Sequence, residues 1–197
     1  MPKVVDHEER RAELTAAVWS IASREGLEAV TIRRVAEEAG WSTGALVHYF
    51  EAKEELLLFA FRTVADRVGR RLAQAEERTS EPLELARAQL VEGLPLDSER
   101  RAEVRVWFAF LGLALTRPAL ARAQRVTYRA WRDRIADRLR GAQERGDLRA
   151  EVDCAAEAAA LVALVDGLAI QVTFEPRALS AQRQMQLVDA HLDALRA

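Results

Sequence analysis

The chain has 197 residues, with 29 Lys plus Arg against 31 Asp plus Glu, and half of it is hydrophobic. That composition excludes a disordered chain, and it excludes a polycation that coats nucleic acid or an anionic membrane by bulk charge, so any nucleic-acid binding is local. Cys154 is the only cysteine, which excludes an intrachain disulfide framework and a multi-cysteine zinc site and suits a cytoplasmic location. The first residues run into charge at Asp6, His7, Glu8 and Glu9, so no secretory signal is expected. Glu157, Asp166 and Glu175 interrupt the most apolar stretch, so no membrane partner is expected.

Apolar residues recur at helical rather than alternating spacing in a chain rich in Ala, Leu, Arg and Glu, and the fold class that follows is all-α. A first helix over about residues 6–24 buries Leu14, Ala17, Val18, Ile21 and Ala22, and Gly26 ends it. Thr31 caps a short helix with an apolar face of Ile32, Val35, Ala36 and Ala39. Gly40 breaks it, and Ser42 or Thr43 caps a second short helix that carries Leu46 and ends near Phe50. Lys53, Glu54 and Glu55 open a long helix through Leu57, Phe61, Val64, Val68 and Leu72. Pro82 begins the next, to about Leu94, and Pro95 lies in the break that follows. A helix over about residues 98–116 gives way at Arg117-Pro118 to a long one reaching about Arg145. After the Gly146-Asp147 turn, Asp153 caps a strongly apolar helix ending near Phe174, and Ser180 caps the last, with Met185, Val188, Leu192 and Leu195 on one side.

Residues 31–50 have the spacing of a helix-turn-helix. The two helices are too short to be stable alone and pack only through a small contact and a tight turn, which Ala36 and Gly40 supply. Val35, Ala39, Trp41, Leu46 and Phe50 then point inward against the first helix. Ser42, Thr43, Gly44, Val47, His48 and Tyr49 stay outside on a helix without a carboxylate between Ala39 and Phe50. Hydroxyls and amides at a helix start suit a phosphate, and Lys53 opposes the dipole of its own helix, which calls for another reason to be there. An ordinary helical hairpin is the competing reading of the same spacing. Nine acids up to Glu51 outnumber the basic residues of this part, so they are expected to lie away from the binding face.

Residues 31–55, above all the run STGALVHYFEAKEEL, resemble the DNA-binding domain of the tetracycline-repressor family of bacterial regulators. Further on, the Gly-Asp-Leu turn at Gly146 and Val165-Asp166-Gly167-Leu168 resemble the branch that contains the choline/betaine regulator. The resemblance implies a three-helix DNA-binding domain over residues 1–55 and a larger helical domain over 56–197 for ligand binding and dimerisation. It implies a homodimer on a pseudo-palindromic double-stranded DNA operator, repression of transcription, and release by a small-molecule effector. Thr31, Thr43, His48, Tyr49 and Lys53 match phosphate-binding positions, and Ser42, Gly44 and Val47 match positions facing bases. Arg33 is within reach of a base edge or phosphate. Trp41 departs from the small or aliphatic residue usual there, and so is a candidate to reach the DNA. Val47 offers only apolar readout, such as a thymine methyl.

Aromatics concentrate again farther along. A cavity lined by Phe61, Trp107, Phe110, Leu111, Tyr128, Trp131, Asp166 and Leu168 would suit an apolar or flat ligand, although plain core is an alternative for each aromatic. Asp166 interrupts an apolar face and needs a partner, either an arginine of the same fold or an effector. Ten arginines over residues 117–149 read as a solvated face with pairs such as Arg129 to Asp133, or as a second DNA surface. Small residues including Ala159, Ala163 and Gly167, together with Val188, Leu192 and Leu195, are the expected dimer interface. An enzyme is not expected: His7, His48 and His191 are scattered, no phosphate loop occurs, Cys154 has no histidine nearby in sequence, and neither metal nor cofactor is called for. A helical small-molecule carrier, or an architectural DNA-binding protein without ligand control, is the alternative function.

Overall fold

The computed structural model describes residues 7–47, 49–50 and 52–197, with the side chains of His7, Glu8, Glu9 and Lys53 outside that description. The described residues form helices α1 (His7–Glu25), α2 (Ile32–Ala39), α3 (Thr43–Val47), α4 (Lys53–Arg78), α5 (Pro82–Val91), α6 (Ser98–Ala114), α7 (Pro118–Glu144), α8 (Cys154–Phe174) and α9 (Ala181–Asp193), and no strand. One further turn, the 3-10 segment Leu27–Ala29, follows Gly26, whose φ of 90° lies in the left-handed region. Leu27 is buried beneath it.

Local chemistry sets the helix ends. Thr31 accepts a hydrogen bond from the Arg34 amide at 3.2 Å, Ser42 from Ala45 at 3.2 Å, and Ser180 from Arg183 at 3.2 Å. Asp153 accepts from the amides of both Ala155 and Ala156. Gly40 closes α2 at φ 70°, and the Trp41 amide reaches back to the Ala36 carbonyl at 2.8 Å, the paired closure that only a left-handed residue permits.

The chain divides into two compact units. In the first, the described residues up to Arg67 join residues 105–123. Leu14, Val18, Ile21, Val35, Leu46 and Leu57 close the core of the short helices, and Phe61, Val106, Phe110 and Leu120 extend it. The second unit comprises residues 68–104 and 124–197. Its core is built from Leu90, Leu94, Ile135, Leu139, Leu161, Val165 and Val188, with α5 packed against α8 and α9. The expected boundary after Glu55 lies in the first turn of α4, a helix that contributes residues to both units.

An ionic cluster lies inside the second unit. Arg71 on α4 holds Glu103 on α6 through two bonds, of 3.0 and 2.5 Å, and also bonds Glu92 at the end of α5. Arg100 then joins Glu92 to Asp97, both at 2.5 Å. The side chains of Glu103 and Glu92 are only 4% and 9% exposed, so these charges lie where an ion needs a partner. Burial works to lower the pKa of Arg71, but its carboxylate partners outweigh burial and raise it, so it stays charged.

The structure corrects three expectations here. By length and composition, α8 is apolar enough to cross a membrane, since its charges are too few to interrupt it. In this fold its Ala158, Leu161, Val162, Val165, Leu168 and Val172 are buried. Val188, Leu192 and Leu195 are at most 5% exposed in the chain's own core, because the apolar stripe of α9 is used to close that unit, and they are not available as an interface surface. Arg129 does not pair with Asp133 among the described residues; on α7 the pairs are Arg138 to Glu76 and Arg140 to Asp137, and Arg145 just beyond it pairs with Glu81.

Candidate nucleic-acid interface and effector cluster

The first unit presents α3 to solvent. Ser42, Thr43, Gly44, Ala45, Val47 and Tyr49 are exposed, while Leu46 and Phe50 are buried and anchor the segment. Of the residues expected to meet DNA, His48 and the side chain of Lys53 lie outside the described residues. A Cβ on Gly44 would meet nothing within 4 Å, and Gly44 is not among the glycines of positive φ. Among the described residues neither packing nor backbone conformation therefore requires glycine there, and glycine costs a helix about 1 kcal/mol relative to alanine.

Trp41 is half-buried, and its indole N–H donates to Glu13 on α1 at 3.0 Å. Arg10 lies over its ring, 5.4 Å from the centroid, and donates to the Tyr49 hydroxyl at 3.4 Å. The rings of Trp41 and Tyr49 meet edge to face at 5.5 Å. Trp41 thus fits the inward reading, as a bracket between α1 and the α3 segment, rather than the reading in which it reaches outward. Arg10 is the cation that reading the sequence missed at this surface; no local pattern in α1 connects it to Tyr49, 39 positions away.

Three acids of this unit, Glu25, Glu37 and Glu38, are held in ion pairs. Arg34 donates to Glu25 at 2.6 Å, Arg33 to Glu37 at 2.9 Å, and Arg24 to Glu38 at 3.1 Å. Donation from Arg34 holds Glu25 below the ordinary carboxylate pKa, donation from Arg33 does the same for Glu37, and the Ser20 hydroxyl, aided by Arg24, does so for Glu38. Exposed pairs of this kind add little stability, and α3 itself carries no carboxylate. Arg33 is 83% exposed.

The expected effector residues fall into a group in each unit. In the first unit, Phe61 stacks on Trp107 and Phe110, with centroids 5.2 and 4.0 Å away. Phe61 and Phe110 are 4% and 0% exposed, and Leu111 lies partly exposed one residue beyond them on α6. Phe61 and Phe110 are core, because the rings fill one another's faces. In the second unit, the Tyr128 hydroxyl donates to Asp166 at 2.6 Å, and Tyr128 lies near-parallel to Trp131 with centroids 6.3 Å apart. The partner of Asp166 is therefore a phenol rather than an arginine. Burial pushes its pKa up, and the Tyr128 hydrogen bond opposes that shift. Leu168 is buried in the core beneath. Gly93 completes the group: a Cβ there would lie 2.6 Å from Val165 Cγ1 and 3.2 Å from the Trp131 ring.

Residues 14–59 match the family described as "Bacterial regulatory proteins, tetR family", and residues 82–197 match "BetI-type transcriptional repressor, C-terminal". The chain is 34% identical over 199 residues to the HTH-type transcriptional regulator PksA of Bacillus subtilis (strain 168), covering 99% of this chain and 94% of that protein. A transcriptional regulator from Rhodococcus sp. Rha1 shares the fold with a TM-score of 0.79 at 33% identity, covering 94% of this chain and 95% of that one. A regulator from Saccharomonospora viridis, solved in complex with choline, superposes with a TM-score of 0.83 at 26% identity over 95% of this chain and 97% of that one.

Proposed function

Because the chain belongs to the tetR family of bacterial regulatory proteins, which are transcriptional regulators and not enzymes, we propose that it is a cytoplasmic homodimeric repressor released from its operator by a small organic cation. The observation that carries the proposal is the hydrogen-bonded pair of Asp166 and Tyr128, backed by Trp131: a half-buried carboxylate with no ion-pair partner among the described residues, bonded to one of two near-parallel aromatic rings. Aromatic faces attract quaternary ammonium groups, and a carboxylate adds charge. The choline held by the Saccharomonospora viridis relative supports the same ligand class here.

On the DNA side, Thr31, Arg33, Thr43, Tyr49 and Lys53 position the unit on phosphates, and Ser42, Gly44 and Val47 face bases, with Arg10 joining them. The exposed Gly44, whose missing side chain no described residue requires, lets the backbone approach the duplex. Two copies pair through the outward stripe of α8, where Ala159, Ala163 and Gly167 permit close approach and Ile170 and Phe174, 45% and 79% exposed, supply the apolar area. Repression requires the separation of the two α3 helices to match the groove spacing, and the effector releases DNA only by favouring a state in which it does not.

The effector assignment is checked by calorimetric titration of choline into the full chain. A cation is attracted to ionised Asp166, whose pKa is raised, so affinity is expected to climb as pH rises through that value and then level off. Asp166→Asn is expected to weaken binding at neutral pH by about tenfold or more and to abolish the pH dependence. It is also expected to make the unliganded protein slightly more stable at neutral pH. In the wild type, folding with a raised carboxyl pKa costs progressively more as pH rises from the ordinary carboxylate value, and asparagine removes that cost while still accepting from Tyr128. Unchanged choline affinity in Asp166→Asn would refute the assignment.

A further inference from the structure

The arginines that α7 carries within the second unit fall into two sets. Toward the end of the helix Arg138 and Arg140 are answered by carboxylates, those of Glu76 and Asp137. Arg125, Arg129 and Arg132 are not answered: none has a hydrogen-bond or ion-pair partner among the described residues, and neither does Asp133, one turn on from Arg129. Spacings of four and then three residues put the three on one face over about 10 Å of helix. Arg125 and Arg129 are exposed and Arg132 is half-buried, while Ile135 and Leu139 of the same helix are fully buried. Like charges three and four residues apart oppose the helix that carries them, so the fold gains nothing from the arrangement.

We infer that Arg125, Arg129 and Arg132 form a second contact with duplex DNA, made to backbone phosphates and indifferent to base sequence. This rests on the reading of the chain as a DNA-binding regulator and adds to the contact through α3. The whole chain carries 29 Lys plus Arg against 31 Asp plus Glu, so a row of unanswered cations is a local feature, and a polyanion is what complements it. The forked guanidinium suits phosphate oxygens. A protein partner would need an apolar centre, and Val126, 68% exposed, is the only large exposed hydrophobic side chain of α7. A membrane surface would need the apolar face of the helix to insert, and that face closes the core through Ile135 and Leu139. The consequence is retention on DNA of any sequence between visits to an operator.

The experiment is fluorescence anisotropy of the full chain on a labelled mixed-sequence duplex of about 30 base pairs, repeated across salt concentrations. Arg125→Gln combined with Arg129→Gln and Arg132→Gln is expected to make the slope of log affinity against log salt shallower by about 2–3, since each phosphate contact contributes roughly 0.9. Lysine at the same three positions keeps the charge and is expected to keep the slope. Glutamine matches arginine as a helix former, so the glutamine variant should melt no lower than the wild type when followed by circular dichroism. A slope changed by less than about 0.5, a loss that lysine does not rescue, or a lower melting temperature in the glutamine variant overturns the proposal. Binding of the wild type but not the glutamine variant to phosphatidylglycerol vesicles, with the DNA slope unchanged, would assign the row to a membrane surface instead. If Lys53→Ala makes the slope shallower and the glutamine variant does not, the α3 contact stands and the α7 contact falls. If the wild type binds no duplex, both fall.

Discussion

Arg71→Ala is expected to cost about 3–5 kcal/mol of stability, because it removes the two-pronged partner of a carboxylate that is 4% exposed. The same guanidinium bonds Glu92, so one substitution loosens the hold of α4 on both α5 and α6. The loss is electrostatic, which gives it a signature. Replacing both partners with apolar residues of similar size, Arg71→Met with Glu103→Leu, should recover most of the loss, whereas loss of packing alone would not be recovered in this way. Urea denaturation followed by circular dichroism checks both. A change below about 0.5 kcal/mol in Arg71→Ala would show that the cluster is only a solvated surface network.

Phe110→Ala carries the other large effect. Phe110 is fully buried and stacked on Phe61, so its removal should cost about 3–5 kcal/mol through lost transfer and the cavity left behind. It also separates two roles that look alike in the sequence. As core, Phe110→Ala should lower the denaturation midpoint while the folded fraction binds choline with unchanged affinity. As pocket wall, it would instead lose ligand and keep most of its stability. Calorimetry under native conditions, paired with denaturation, tells these outcomes apart.

The sequence shows the architecture of this chain through its punctuation. Thr31, Gly40, Ser42, Pro82, Pro118, Asp153 and Ser180 each set a helix end by a local bond or a fixed dihedral, and local chemistry is what one sequence displays. Tertiary pairings are hidden for the opposite reason. Arg71 and Glu103 are 32 positions apart and read as ordinary surface charges, and their burial depends on how three helices converge. Arg10 over Trp41, and Tyr128 on Asp166, are likewise invisible to spacing. The periodicity of α9 locates an apolar stripe without saying whether it seals its own protomer or a partner, and Val188, Leu192 and Leu195 belong to the former. On α8 both faces are apolar, so only the burial of Leu161 and Val165 shows that Ala159 and Ala163 are the ones turned outward.

The most direct test of a dimer that reads DNA through α3 is enrichment of a random duplex pool on the full chain, followed by fluorescence anisotropy at one fixed salt concentration on the enriched site and on a single half-site. The expected result is an inverted repeat whose half-sites are centred about one helical turn, or a small multiple, apart, bound at least about tenfold more tightly than the isolated half. Equal affinity for the full site and the half-site, or enrichment of no two-fold symmetric sequence, would contradict it.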